Sequence, residues 1–154
     1  MVVFERTAPP LSELDIARIE RRLGIHLPED IKQHYLLHNG GRPRPGFFHK
    51  DGEAYGVGEF LAMNTEKTTD NKASSFEWTY VMMVDRSPEF PRGYIPFADD
   101  DTGGDLFLYS VRPDTFGNIC FNQHEYYGDD DRYVVFLAPT LREFINSLSE
   151  LDAS

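Results

Sequence analysis

Apolar positions near the start of the chain recur at helical intervals: Leu14, Ile16, Ile19 and Leu23 are separated by charged residues, the stripe of an amphipathic helix. Ser12, followed three residues later by Asp15, has the form of a capping box, with Leu11 and Ile16 placed as a hydrophobic staple around it. Gly24 supplies the left-handed stop. Pro28 suits the first turn of a second helix, whose positive end the acidic pair Glu29 and Asp30 complements. That helix is predicted to run to about His38, where Asn39, Gly40 and Gly41 end it and Pro43 and Pro45 forbid its resumption.

From Phe47 the period shortens, and aromatic and β-branched residues come in short runs broken by turn dipeptides such as Asp51-Gly52. Strands are predicted near 46–50 and 54–61. Thr65 to Ser75 is polar and aperiodic and reads as a mobile loop. Phe76 to Val84 carries two signals: Trp78, Tyr80 and Val84 favour a strand, whereas Ser74-x-x-Glu77 looks like a helix start. We read it as a helix, with Trp78 in the core. Three strands follow, Tyr94 to Ala98, Asp105 to Val111 and Asn118 to Phe121, forming a β-meander, and a fourth runs from Tyr133 to Ala138. Thr140-x-x-Glu143 opens a closing helix with the stripe Leu141, Phe144, Ile145, Leu148 and Leu151. Helices at both ends and in the middle, with strands between, make an α+β domain, expected as a single unit over 1–154 with its core about 12–149.

Composition supports a packed core: 40% of residues are apolar and 14% aromatic. Charge narrows the partners. With 15 basic against 26 acidic side chains the net charge is −11, which repels phosphate backbones and anionic membranes and favours a basic protein. The single cysteine, Cys120, excludes an internal disulfide and a multi-cysteine zinc site; between Ile119 and Phe121 it is expected to be a buried, inert thiol. Met1 to Pro10 lacks the apolar run of a signal peptide, and no stretch approaches the length of a membrane span, so a cytoplasmic location is expected.

The run Asp99-Asp100-Asp101-Thr102-Gly103-Gly104-Asp105 invites comparison with a calcium loop, but Gly103 and Ser110 stand where that loop needs ligands. It reads as an acidic hairpin turn or a partner-facing surface, and Asp129-Asp130-Asp131 reads as a second acidic turn. His34 and His38 share a helix face at zinc-chelating spacing, with no further ligand near them in sequence. His124-Glu125 offers a general base, but no G-x-S-x-G elbow accompanies it, and neither nucleotide fingerprint, GxGxxG or GxxxxGK[ST], is present. No catalytic set, metal or cofactor is therefore expected.

Leu23-Gly24-Ile25-His26-Leu27-Pro28, followed by an aromatic helix closing on Asn39-Gly40-Gly41, resembles the opening of the SUKH superfamily. Ile95-Pro96-Phe97-Ala98-Asp99, the Gly103-Gly104-Asp105 turn and Leu106-Phe107-Leu108 resemble its central meander, and Thr140 to Leu148 its terminal helix. The resemblance implies a curved, largely antiparallel sheet packed against helices. It also implies a non-catalytic protein: bacterial members are typically immunity proteins that neutralise a cognate toxin, often a nuclease, and the fungal Smi/Knr type are regulators acting through protein contacts. The expected partner is thus a basic protein toxin, with no nucleic acid, membrane or small-molecule substrate. Its expected contacts are Asp99, Asp100, Asp101, Asp105, Asp129, Asp130 and Asp131, with Tyr55, Tyr126 and Tyr127 as aromatic anchors. A regulatory or scaffold module binding a cellular protein is the alternative, and a small hydrolase using His124 and Glu125 a third reading.

Overall fold

The Ser12 hydroxyl accepts from the Asp15 amide at 3.1 Å while the Asp15 carboxylate accepts from the Ser12 amide at 2.9 Å, satisfying two orphan donors reciprocally. This box opens α1 (Glu13–Leu23), and Gly24, at φ 71°, closes it. In this computed structural model residues 1–64 and 75–151 are described; of the loop expected over 65–75, all but Ser75 lies outside them. Pro28 stands just outside α2 (Glu29–Leu37) as its N-cap, one position earlier than the first-turn place expected for it. A short strand that no sequence pattern marks, β1 (Val3–Glu5), pairs antiparallel with β2 (Arg42–Arg44).

The main sheet is a six-stranded antiparallel meander in chain order: β3 (Phe47–Lys50), β4 (Glu53–Phe60), β5 (Tyr94–Asp100), β6 (Leu106–Ser110), β7 (Ile119–Asn122) and β8 (Val134–Ala138). Between β4 and β5 the chain is helical, as expected, but the cap is Ser75, one residue later than the Ser74-x-x-Glu77 start: α3 (Phe76–Tyr80) runs into a π-helical turn over Val81–Asp85. The β7–β8 connection holds a 3₁₀ turn (His124–Tyr126) and the short α4 (Asp130–Tyr133), and α5 (Leu141–Asn146) follows the last strand.

The sheet is strongly curved. Tyr55 of β4 meets the ring of Phe121 on β7 edge-on at 5.3 Å, whereas three strand spacings in a flat sheet would separate them by roughly 14 Å. Phe144 of α5 is fully buried in the hollow, with ring centroids 5.2 Å from Phe48, 5.5 Å from Phe107 and 6.1 Å from Phe97. Just after α5, Phe47 and Ser149 exchange two backbone hydrogen bonds, which tie the end of the domain to the first strand of the sheet.

Both terminal helical segments contribute to this core. Ile16, Ile19, Ile31 and Tyr35 are buried in it, the Tyr35 hydroxyl donates to the Leu61 carbonyl at 2.6 Å, and the Tyr109 hydroxyl donates to Asp30 at 2.6 Å. Strand alternation puts Leu108 and Cys120 on the opposite face, under Phe90, Met83 and Val84. Cys120 is buried as expected, and burial pushes its thiol up to about 11. Two positions expected in apolar stripes are exposed. Leu14 falls on the outer side of α1, away from Ile16 and Ile19, and Leu151 lies beyond the end of α5, where the helical period no longer applies.

Two outcomes are expected of this packing. Phe144→Ala should cost about 3–5 kcal/mol, read as a drop in the urea midpoint. His34, ringed by Phe4, Phe60 and His38 at 5.0, 5.1 and 5.6 Å, is held down to about 4 by burial and then by His38. Its folded value is depressed, so the unfolded chain takes up the proton first, and stability falls as pH drops from about 6.5 toward 4, by at most about 1.4 kcal/mol per pH unit. A His34→Phe variant should lose that part of the slope in denaturation series run across the window.

Candidate partner-binding face

Successive antiparallel strands run in opposite directions, so alternate connections emerge at the same end of a meander. The β3–β4, β5–β6 and β7–β8 connections therefore share one end, and each is acid-rich: Asp51 and Glu53, then Asp99 to Asp105, then Glu125 with Asp129 to Asp131. One strand order thus gathers three separate acidic stretches.

The aspartates of the first turn do different work. Asp100 builds the hairpin: one carboxylate oxygen accepts from the amides of Gly104 at 2.9 Å and Asp105 at 3.2 Å, the other from the Thr102 hydroxyl at 2.8 Å. Gly103 turns the chain at φ 79°. Asp99 accepts from the Glu59 amide at 2.8 Å, lying where a side chain at Gly58 would stand, and burial pushes its carboxyl above the usual range, against the pull of that amide. Asp101 donates its amide to the Gly56 carbonyl at 2.9 Å and leaves its side chain exposed. Asp105 accepts from the His124 amide at 3.0 Å and pairs with His124 Nδ1 at 2.6 Å. That contact locks the β5–β6 turn to the start of the β7–β8 connection.

Trp78, expected in the core, is instead 43% exposed. On a helix, the position two residues beyond Phe76 points away from the side that Phe76 and Tyr80 bury, and the residue is left at the mouth of a pocket of about 310 Å³ beside Met83, Asp105, Leu106 and His124. The helix start at Ser75 was the signal that could have placed Trp78 outside.

The second acidic turn is structured as well. Asp129 caps α4 by accepting from the Asp131 amide at 3.2 Å and lies 3.7 Å from Arg132, whose guanidinium sits 5.4 Å over the Tyr126 ring. Tyr127 is 58% exposed and packs edge-on against Tyr133. Asp130 and Asp131 are exposed, but Asp130 faces a pocket it shares with Arg112. Tyr55 is half-buried on the core side against Phe121. The structure therefore unites Asp99, Asp100, Asp101 and Asp105 with His124 and Trp78, carries Tyr126, Tyr127 and Asp129 to Asp131 on the adjoining connection, and turns Tyr55 to the core side.

His34 and His38 pack with Phe4 in an aromatic cluster. Among the described residues no group of three His, Cys, Asp or Glu side chains is positioned to hold a metal, and no helix is long and apolar enough to cross a membrane.

Residues 10–147 match the model of a protein family described as SMI1 / KNR4 family (SUKH-1). No curated protein matches the chain.

The hydrogen bond and charge of Asp105 raise the His124 pKa above that of an ordinary imidazole. Protonation therefore strengthens the tie between the two connections, and the tie weakens as pH rises through the folded value. Ring-proton titration by NMR should place His124 above the ordinary imidazole value near 6.5, and Asp105→Asn should lower it toward that value.

Proposed function

The chain belongs to the SMI1 / KNR4 family (SUKH-1), and from that premise we propose that it is an immunity protein: it binds a cognate bacterial toxin and neutralises it by stoichiometric contact through its acid-rich end, without catalysis. The observation that carries this reading is the convergence of three acidic connections on one end of the sheet, beside an exposed tryptophan. A toxin that acts on nucleic acid must hold phosphate and is basic for that reason, so carboxylates fixed on a rigid turn imitate the charge of its substrate. A chain of net charge −11 attracts such a partner at long range.

The division of labour follows from the geometry. Asp99, Asp100 and Asp105 spend much of their hydrogen-bonding capacity shaping the turn, so they set its form and add to its field. Asp101, lying over Gly56, Asp130, at the rim of the Arg112 pocket, and Asp131 are exposed and have carboxylates available for direct pairing. Trp78 and Tyr127 supply the flat apolar area that anchors an interface, as large aromatics do at binding hot spots. A toxin that acts inside the cell requires a cytoplasmic protector.

Co-expression of the chain with the toxin encoded beside its gene should restore growth, and stopped-flow association should slow by about tenfold or more at low salt in an Asp101→Asn, Asp130→Asn, Asp131→Asn variant, with a flatter salt dependence. Rescue with an unchanged association rate would remove the acidic end from the proposal. No rescue, together with stable capture of a cellular protein, would instead support the regulatory Smi/Knr-type reading.

A further inference from the structure

The opposite end of the meander mixes charges, with Arg86, Arg92 and Arg112 beside Asp85, Glu89 and Asp114. Three neighbouring surface pockets have lining residues in common, Pro91 and Tyr94 linking the first to the others and Val84 and Gly93 linking the remaining two, and this row of adjoining pockets makes a trough along residues 84–94, the first of them reaching to Asp130 and Tyr133. Its apolar part, about 490 Å³, lies between Ile25, Leu27 and Phe116, whose ring is 58% exposed. Arg86 and Arg92 line one wall and Arg112 another. All three arginines are exposed, and none has a carboxylate within ion-pairing distance among the described residues. Asp85 and Asp130 line the outer pockets, while no acid lines the apolar part.

Arg112 is also placed in advance. Its stem passes over Gly93, where a Cβ would meet Arg112 Cγ at 2.5 Å, and its guanidinium lies 5.9 Å over the Tyr94 ring. Stacking of this kind holds a guanidinium in position while leaving its N–H fork free to grip a carboxylate. An apolar pocket beside one fixed arginine, Arg112, and a second unpaired one, Arg92, is complementary to a segment that pairs a bulky apolar side chain with acidic neighbours.

We propose that this trough is a second docking site, which takes an acidic peptide segment of a partner, an apolar side chain entering between Ile25 and Phe116 and flanking Asp or Glu side chains meeting Arg92 and Arg112. The site goes beyond the acid-rich end, with which it shares Asp130 at the rim of the Arg112 pocket but not Asp101 or Trp78.

The test is an NMR titration of the isotopically labelled full chain with a synthetic peptide bearing Leu and Phe flanked by Asp and Glu. Amide shifts should concentrate at Gly93, Tyr94, Val111 and Phe116. An Arg92→Glu, Arg112→Glu variant should weaken binding at least about tenfold, Phe116→Ser should weaken it independently, and Asp101→Asn should leave it unchanged. Equal binding of a peptide with Lys at the acidic positions, shifts centred elsewhere, or the same shifts from inorganic phosphate alone would each overturn the proposal. Because toxin rescue is read separately, failure here and failure of the immunity reading are distinguishable.

Discussion

The curvature of the sheet is the constraint on which the rest depends. A flat six-stranded meander would leave Tyr55 and Phe121 far apart and would offer α5 a plane to lie on. Bent as it is, the sheet makes a hollow that Phe144 fills against Phe48, Phe97 and Phe107. Aromatic rings bury large areas and pack stacked, tilted or edge-to-face at these separations, so a few side chains hold the bend. The exchange of hydrogen bonds between Phe47 and Ser149 fixes the segment after α5 against the first strand of the sheet, so the plug and the bend support each other.

Chain order then distributes chemistry between the two ends. Because each strand pairs with its sequence neighbour, acidic stretches far apart in sequence converge at one end, and the β6–β7 connection, with Arg112 and Phe116, lies at the other with Arg92. A net charge of −11 is an average over this arrangement. The carboxylates of the first turn also serve structure, since Asp100 satisfies backbone donors that the hairpin would otherwise leave to water. Glycines at 56 and 58 on β4 leave room for Asp101 and Asp99 to lie against that strand.

Where local chemistry decides the outcome, the sequence was a sufficient guide. Ser12 with Asp15, Gly24, the meander strands and the helix over Phe76–Tyr80, its cap one residue later than expected, all appear in the structure because caps, glycine stops and strand alternation act over a few residues. β1 was illegible: three residues show no alternation, and its pairing with β2 depends on a strand far along the chain. The exposure of Trp78 was missed because aromatic bulk suggests burial, while the phase of a short helix decides it. At the acidic turns the composition was plain, but not the burial of Asp99 or the contact of Asp105 with His124, which arises only when two connections meet at one end of the sheet. The trough beside Arg112 was equally hidden, since its walls come from α2's approach, the 84–94 segment and the β6–β7 connection.

The position of Phe144 in the chain bears on how the protein is made. Synthesis proceeds from the N-terminus, so all six strands leave the ribosome before the ring that fills their hollow, and Phe48 must wait for a partner 96 residues further along the chain. Until then a nascent sheet would present Phe48, Phe97 and Phe107 to water and to other nascent chains, the kind of exposure that invites aggregation and chaperone engagement. Completion of this core therefore waits until α5 has been synthesised and can dock.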